Sequence, residues 1–182
     1  MDAFSLPQIL GYLAYSISLI GATQKKDNNL FLLFSISCGL FGIHHFLLGN
    51  FSACLSKIII GLRMYLNIYF KGAVIAYPFA AIALISGYLS YKNPFSILPV
   101  AAVVIATFFA AYSGGIKLRI CFIFCCFLWL IHDIAGHSVG GIFEDVTSIT
   151  IYTTTVWRMK RDEKKSLNEA GSSSELQQKR SA

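Results

Sequence analysis

The chain has 182 residues, 55% of them hydrophobic and only 13% charged, with a formal net charge of +6. Together with a positive mean hydropathy, this balance excludes an ordinary soluble domain of this length and points to an integral membrane protein. The positive charge does not mark a nucleic-acid binder, because most lysines and arginines flank apolar runs.

Read in chain order, the sequence predicts an all-α membrane protein with seven spans, over residues 6–22, 30–49, 51–70, 73–91, 97–112, 119–135 and 141–157. The start, Met1-Asp2-Ala3-Phe4-Ser5, lacks the positive region of a cleaved leader, so the first run is expected to be a permanent helix. A polar turn, Gln24 to Asn29, closes it. The second and third spans form a hairpin around Asn50, each about 20 residues long and long enough to cross a bilayer. Lys92-Asn93-Pro94 closes the fourth. The fifth contains Pro99 and is ended by Ser113-Gly114-Gly115 and two basic residues. The sixth is the most aromatic. The seventh opens on Glu144 and Asp145 and carries Thr153-Thr154-Thr155. Beyond Trp157 the composition turns polar and basic, and residues 158–182 are expected to form a disordered tail.

Charge placement orients the spans. With the N-terminus outside, Lys25, Lys26, Lys71, Lys117, Arg119 and the basic tail fall inside, and only Lys92 falls outside. This is a clean positive-inside asymmetry, with the N-terminus outside and the C-terminus inside.

An offset of 88 residues sets Ala14 on Ala102, Ile17 on Ile105, Ala22 on Ala110, Leu30 on Leu118 and Phe34 on Phe122. Without a gap it continues through Cys38 on Cys126, Leu40 on Leu128, Ile43 on Ile131 and His44 on His132. Two parallel triple-helix repeats joined by a linking fourth helix, a 3+1+3 plan, would produce this pattern.

Charged residues inside the spans are the candidate site. Lys57 and Arg63 sit within the apolar third span, where each costs about 2.5–3.5 kcal/mol near the middle of an inserted helix. Ser52, Ser56, Arg63 and Asn67 share one stripe of that helix. A central guanidinium suits an anionic or carbonyl-bearing solute, which Arg binds as a fork. The same offset puts Lys57 opposite Asp145 and Ser56 opposite Glu144, so a Lys57 ion pair with Asp145 or Glu144 is expected. His44, His45, His132 and Asp133 lie at the outer ends of the second and sixth spans, as a vestibule or as proton-coupling groups. A snorkelling Lys57, an Arg63 bonded to backbone carbonyls and histidines satisfied by water are the structural alternatives.

Other chemistry has little support. The five cysteines, Cys38, Cys54, Cys121, Cys125 and Cys126, all lie in apolar runs and read as packing residues. No His or Cys pair has the spacing of a recognised metal site, and no cofactor motif occurs. Gly136-His137-Ser138-Val139-Gly140 matches G-x-S-x-G. It lies in a turn between two spans, with no histidine after Ser138 to complete a hydrolase triad, so no enzyme is expected.

Gln24-Lys25, His45-Phe46-Leu47-Leu48-Gly49 and Arg63 on the following helix resemble the YgjV-type bacterial inner-membrane protein family (Imp-YgjV). The resemblance covers nearly the whole chain and implies a small inner-membrane protein. The span plan is also similar to the PQ-loop and SWEET transporter group. Pro7-Gln8 stands at the outer start of the first span rather than further along, where that group carries its motif, and Gln24 stands at the inner end. Two functions follow as expectations. One is a small transporter that moves a polar or anionic solute by rocking two helical bundles. The other is a non-transporting sensor or assembly factor that acts through its basic tail. The bilayer is the expected partner of both, and close-packing small residues such as Ser52 and Ser56 allow a homo-oligomer.

Overall fold

The computed structural model describes residues 5–49, 51–89, 91, 94–135 and 139–181, with the side chains of 51–53, 139–141 and 170–181 outside that description. Asn50, Lys92 and the Gly136-His137-Ser138 part of the G-x-S-x-G match therefore lie outside the described residues. Among the described residues the secondary structure is entirely helical, in seven α-helices and one 3₁₀ turn. The helices are α1 (Leu6–Ala22), α2 (Asp27–Leu47), α3 (Phe51–Tyr69), α4 (Ala73–Leu89), α5 (Ile97–Tyr112), α6 (Gly115–Ala135) and α7 (Val139–Ser181).

Local chemistry explains most of the boundaries. Pro7 stands in the first turn of α1, where its missing N–H and fixed φ do no harm. Thr23 ends that helix, its hydroxyl donating to the Ile20 carbonyl at 2.7 Å. Helix α2 begins at Asp27 rather than Leu30 because a carboxylate in the first turn favours the helix dipole. Between α3 and α4 the chain turns on Gly72, at φ +77°, a conformation that glycine adopts without strain. The Gly72 N–H then donates to the Ala111 carbonyl at 2.9 Å, tying this turn to the end of α5. Gly115, at φ +59°, starts α6 four residues before the expected Arg119, which takes Lys117 and Arg119 into the helix.

Helices α1, α2 and α3 pack in chain order, as do α5, α6 and α7, while α4 lies mainly against α5 and α1 touches α7. Small residues allow close approach. A Cβ on Gly61 would lie 3.0 Å from the Cys38 Cβ and 3.3 Å from the Ser35 carbonyl oxygen, so α3 meets α2 backbone to backbone. Two side chains also reach backbone carbonyls: Ser37 Oγ donates to Ala14 at 2.7 Å, and Cys125 Sγ donates to Ala102 at 3.3 Å. Ala22, Leu30, Phe31, Met64, Ala110, Leu118, Phe122 and Tyr152 form the centre of the core.

The outer surface is apolar. Tyr88 is 83% exposed, and Leu84, Ile85, Val74 and Tyr77 of α4 are exposed with it. A surface of this kind is covered by lipid tails, not by water. Helices α2 and α6, and the 3₁₀ turn with α5 (Pro94–Tyr112), are long and apolar enough to cross a membrane, while α1 and α4 are apolar but shorter.

The segment expected to be a disordered tail instead continues α7 as helix to Ser181. It has no proline, and Lys, Glu, Leu and Gln are good helix formers. Residues 161–169 are exposed on all sides. Lys25 pairs with Asp162, and the Arg161 guanidinium stands 5.0 Å from the Trp157 ring centroid.

Candidate functional site

A cavity of about 310 Å³ lies between the two triple-helix groups and collects most of the charged residues of the spans. Arg63, Lys57, Asp133, Glu144 and Asp145 all line it. Helix α3 supplies the cations, while α6 and α7 supply the carboxylates.

Arg63 is buried at the wall between this cavity and a second one of about 450 Å³, which is bounded by α3, α4, α5 and α6. Its Nη1 donates to Thr107 Oγ1 and, at 3.3 Å, to the Val103 carbonyl. Thr107 Oγ1–H donates in turn to the same carbonyl at 2.6 Å. Arg63 Nε has no hydrogen-bond partner. The backbone-bonded alternative thus describes one nitrogen of this guanidinium, while Nε is buried without a partner.

Lys57 does not make the expected ion pair. Its ammonium stands 4.8 Å from the Phe41 ring centroid, and among the described residues the ion pairs are Lys25–Asp162 and Arg119–Asp27. The face of an aromatic ring compensates in part for lost hydration, which lets Lys57 remain in the cavity wall without a carboxylate contact. Asp145 is buried with Oδ2 unpartnered, whereas Glu144 is exposed at the cavity mouth and Asp133 is half-buried.

The polar stripe of α3 divides. Ser56 is exposed and lines the second cavity. Asn67 is fully buried, lines neither cavity, and has no hydrogen-bond partner at either amide atom.

The histidines are held by backbone. A carbonyl can only accept, so His44 Nδ1–H donates to Pro7 at 2.6 Å and His132 Nδ1–H donates to Phe95 at 3.1 Å. His45 stacks on Phe41, with ring centroids 6.5 Å apart. His132 faces the second cavity, and neither His44 nor His45 lines the central one. Of the four expected vestibule residues, only Asp133 reaches the cavity that holds Arg63 and Asp145. The five cysteines are free thiols.

At the end of the bundle away from Glu144, a second charged cluster was not foreseen from the sequence as a site. Arg119 is fully buried and pairs with Asp27 through Nη1, which also donates to the Gly115 carbonyl at 3.0 Å. Its Nη2 donates to the carbonyls of Gln24 and Lys25, at 3.0 and 3.2 Å. Asp27 in turn accepts the Gly115 N–H at 2.9 Å. One carboxylate therefore ties the start of α2 to the start of α6. Nearby, the Lys71 ammonium lies 4.4 Å from the Phe31 ring centroid and donates to the Ala110 carbonyl at 3.4 Å. Burial holds it below the usual lysine value, partly offset by Asp27. The hydrogen bond from Lys25 draws the exposed Asp162 carboxyl below its ordinary value. In the sequence Arg119 read as a loop charge.

The sequence profile of a family described as bacterial inner membrane proteins, Imp-YgjV, matches residues 5–163. Inner membrane protein YgjV of Escherichia coli (strain K12) is 23% identical over 164 residues, which cover 88% of this chain and 90% of that protein. No solved structure matches. An apolar, lipid-covered surface around a charged interior and a profile match spanning nearly the whole helical region lead to one assignment: the chain belongs to the Imp-YgjV family of bacterial inner membrane proteins.

Proposed function

We propose that this protein is a seven-span transporter of a small polar solute, and that two triple-helix halves move against each other around the central cavity. The observation that carries this reading is the composition of the cavity wall. Phe34 and Phe122, Ser37 and Cys125, Cys38 and Cys126, Lys57 and Asp145, and Met64 and Tyr152 all line it, and each pair is separated by the 88-residue offset.

Side-chain hydrogen bonds to the backbone repeat with the same offset. Ser37 to Ala14 recurs as Cys125 to Ala102, and His44 to Pro7 recurs as His132 to Phe95. Chance similarity between apolar helices does not reproduce side-chain hydrogen bonds to equivalent carbonyls. This supports a 3+1+3 plan in which α1–α3 and α5–α7 are repeats and α4 is the linker. A solute site on the axis between two repeats is the arrangement from which alternating access works by rigid rocking.

The ends of the bundle support the same reading. The Asp27–Arg119 contact closes one end, while exposed Glu144 and half-buried Asp133 mark the mouth at the other. Lys25, Lys71, Arg119 and the polar extension of α7 gather at the closed end, because Lys25 touches both the Arg119 guanidinium and Asp162. By the positive-inside rule, that end is cytoplasmic and the N-terminus is outside.

The second reading, a sensor or assembly factor, draws on the exposed, charge-rich segment of α7 beyond Trp157. A deletion strain complemented with wild type, Arg63→Ala or a chain ending after residue 163, at matched membrane levels, separates the two. Loss of one solute's uptake that wild type and the truncated chain restore, but Arg63→Ala does not, supports the transporter. A phenotype that follows the α7 extension and ignores Arg63 refutes it.

A further inference from the structure

The two walls of the central cavity carry opposite charge. The α3 wall presents Lys57 and Arg63; the facing wall presents Asp133, Glu144 and Asp145. Positions related by the 88-residue offset differ in sign where the cavity is polar, Lys57 against Asp145, although the surrounding pairs Phe34/Phe122 and Cys38/Cys126 keep their chemistry.

If these charges served only to neutralise each other, they would meet. They do not. No ion pair crosses the cavity among the described residues. Arg63 is only 4% exposed and its Nε has no partner, while Asp145 is 8% exposed and its Oδ2 has none. Leaving a buried charge partly unpaired is costly on either wall, so the cavity is completed by a ligand that satisfies both. A monoanion would leave buried Asp145 without a partner. A monocation would leave Arg63 so placed, and an uncharged solute would leave both. Size and lining narrow the choice. A volume of about 310 Å³ is at the small end of ligand pockets, and Phe34, Phe122, Met64 and Trp129 add apolar wall beside the charges.

We infer that the transported solute is a zwitterion of amino-acid size, with its carboxylate toward Arg63 and Lys57 and its ammonium toward Asp145 and Glu144. This rests on the transporter reading for its direction of use, but the binding chemistry can be tested without transport.

Detergent-purified full chain is heated with L-leucine, with its anion-only derivative N-acetyl-L-leucine, with its cation-only derivative L-leucine methyl ester, and with glucose. Glycine and L-alanine are added to test smaller zwitterions. The expected result is stabilisation by one or more of the zwitterions and by none of the other three. Asp145→Asn keeps the shape and removes the charge, and it should weaken zwitterion binding by about tenfold or more and abolish the discrimination against N-acetyl-L-leucine. Lys57→Gln provides the same test on the opposite wall, with the preference moved toward the methyl ester.

Stabilisation by glucose or by a singly charged derivative without the zwitterions overturns the inference, as does silence from every probe. Uptake of the same labelled probes into liposomes separates the two readings. Zwitterion binding without uptake leaves the site standing and refutes transport. Uptake of glucose or N-acetyl-L-leucine alone refutes the zwitterion and leaves transport standing.

Discussion

Two buried arginines of this molecule are satisfied in different ways. Arg119, at the closed end, meets Asp27 and three backbone carbonyls, so both terminal nitrogens are satisfied and only Nε is left. Arg63, at the cavity, uses one terminal nitrogen on Thr107 and Val103 and meets no carboxylate. The first is saturated by groups that hold helix ends together. The second has binding capacity left over and faces a space large enough for a small molecule. Burial alone therefore does not distinguish the two arginines; what distinguishes them is how many donors the protein itself has already used.

The comparison is broken most severely at the closed end. Asp27→Ala leaves Arg119 buried without its carboxylate and should destabilise the protein by about 3–5 kcal/mol, read as a lowered unfolding temperature in detergent. An Asp27→Ala protein that unfolds like wild type would remove the scaffold role. A smaller effect is expected from Arg63→Met. The apolar side chain fills similar volume, and Thr107 still bonds the Val103 carbonyl, so stability should stay within about 1 kcal/mol of wild type. Solute uptake should nevertheless fall to background. If Arg63→Met instead unfolds the protein as Asp27→Ala does, the two arginines share one structural role.

Much of this division was legible in the sequence, and the parts that were not have physical reasons. Spans 6–22 and 97–112 coincide with α1 and α5, because Thr23 and Ser113-Gly114 end unambiguous apolar runs. The offset that put Lys57 opposite Asp145 names residues on two walls of one cavity. Their direct ion pair could not be judged from sequence, because it depends on whether Phe41 stands closer to the ammonium than a carboxylate does. Arg119 was hidden for a different reason. After Ser113-Gly114-Gly115 a basic residue reads as a loop charge, and its partner lies 92 residues earlier on another helix. The positions of the histidines were not legible either. His44 and His132 bond backbone carbonyls through Nδ1, and neither lines the central cavity. For the α7 extension, composition gave polarity correctly but could not give conformation, since charged residues with good helix propensity suit either state.

Lys57 sharpens the comparison at lower amplitude. Lys57→Met removes a half-buried cation that rests on Phe41 and pairs with no carboxylate, so stability should change by no more than about 1 kcal/mol. Its effect should fall on selectivity instead, as weaker retention of carboxylate-bearing solutes in the uptake assay. Unaltered selectivity would return Lys57 to a snorkelling role.

The smallest effect belongs to Lys25 and Asp162, the exposed counterpart of Asp27–Arg119 at the same end of the bundle. Solvent screens this pair, and two long side chains lose rotamer freedom to form it, so Lys25→Ala should leave the unfolding temperature unchanged at moderate salt. The lowered value of the Asp162 carboxyl gives the pair a definite pH window. Any stabilisation is fully present above the ordinary aspartate value of about 3.9 and is lost as pH falls through the lower folded value. Wild type and Lys25→Ala should therefore melt alike at moderate salt near neutral pH, and any small difference seen there at low salt should vanish in strong acid. A large, salt-resistant loss in Lys25→Ala would mean that the α7 extension is clamped to the α1–α2 turn as firmly as Arg119 clamps α2 to α6. The closed end would then be held by two latches, and both would have to release before the cavity could open on that side.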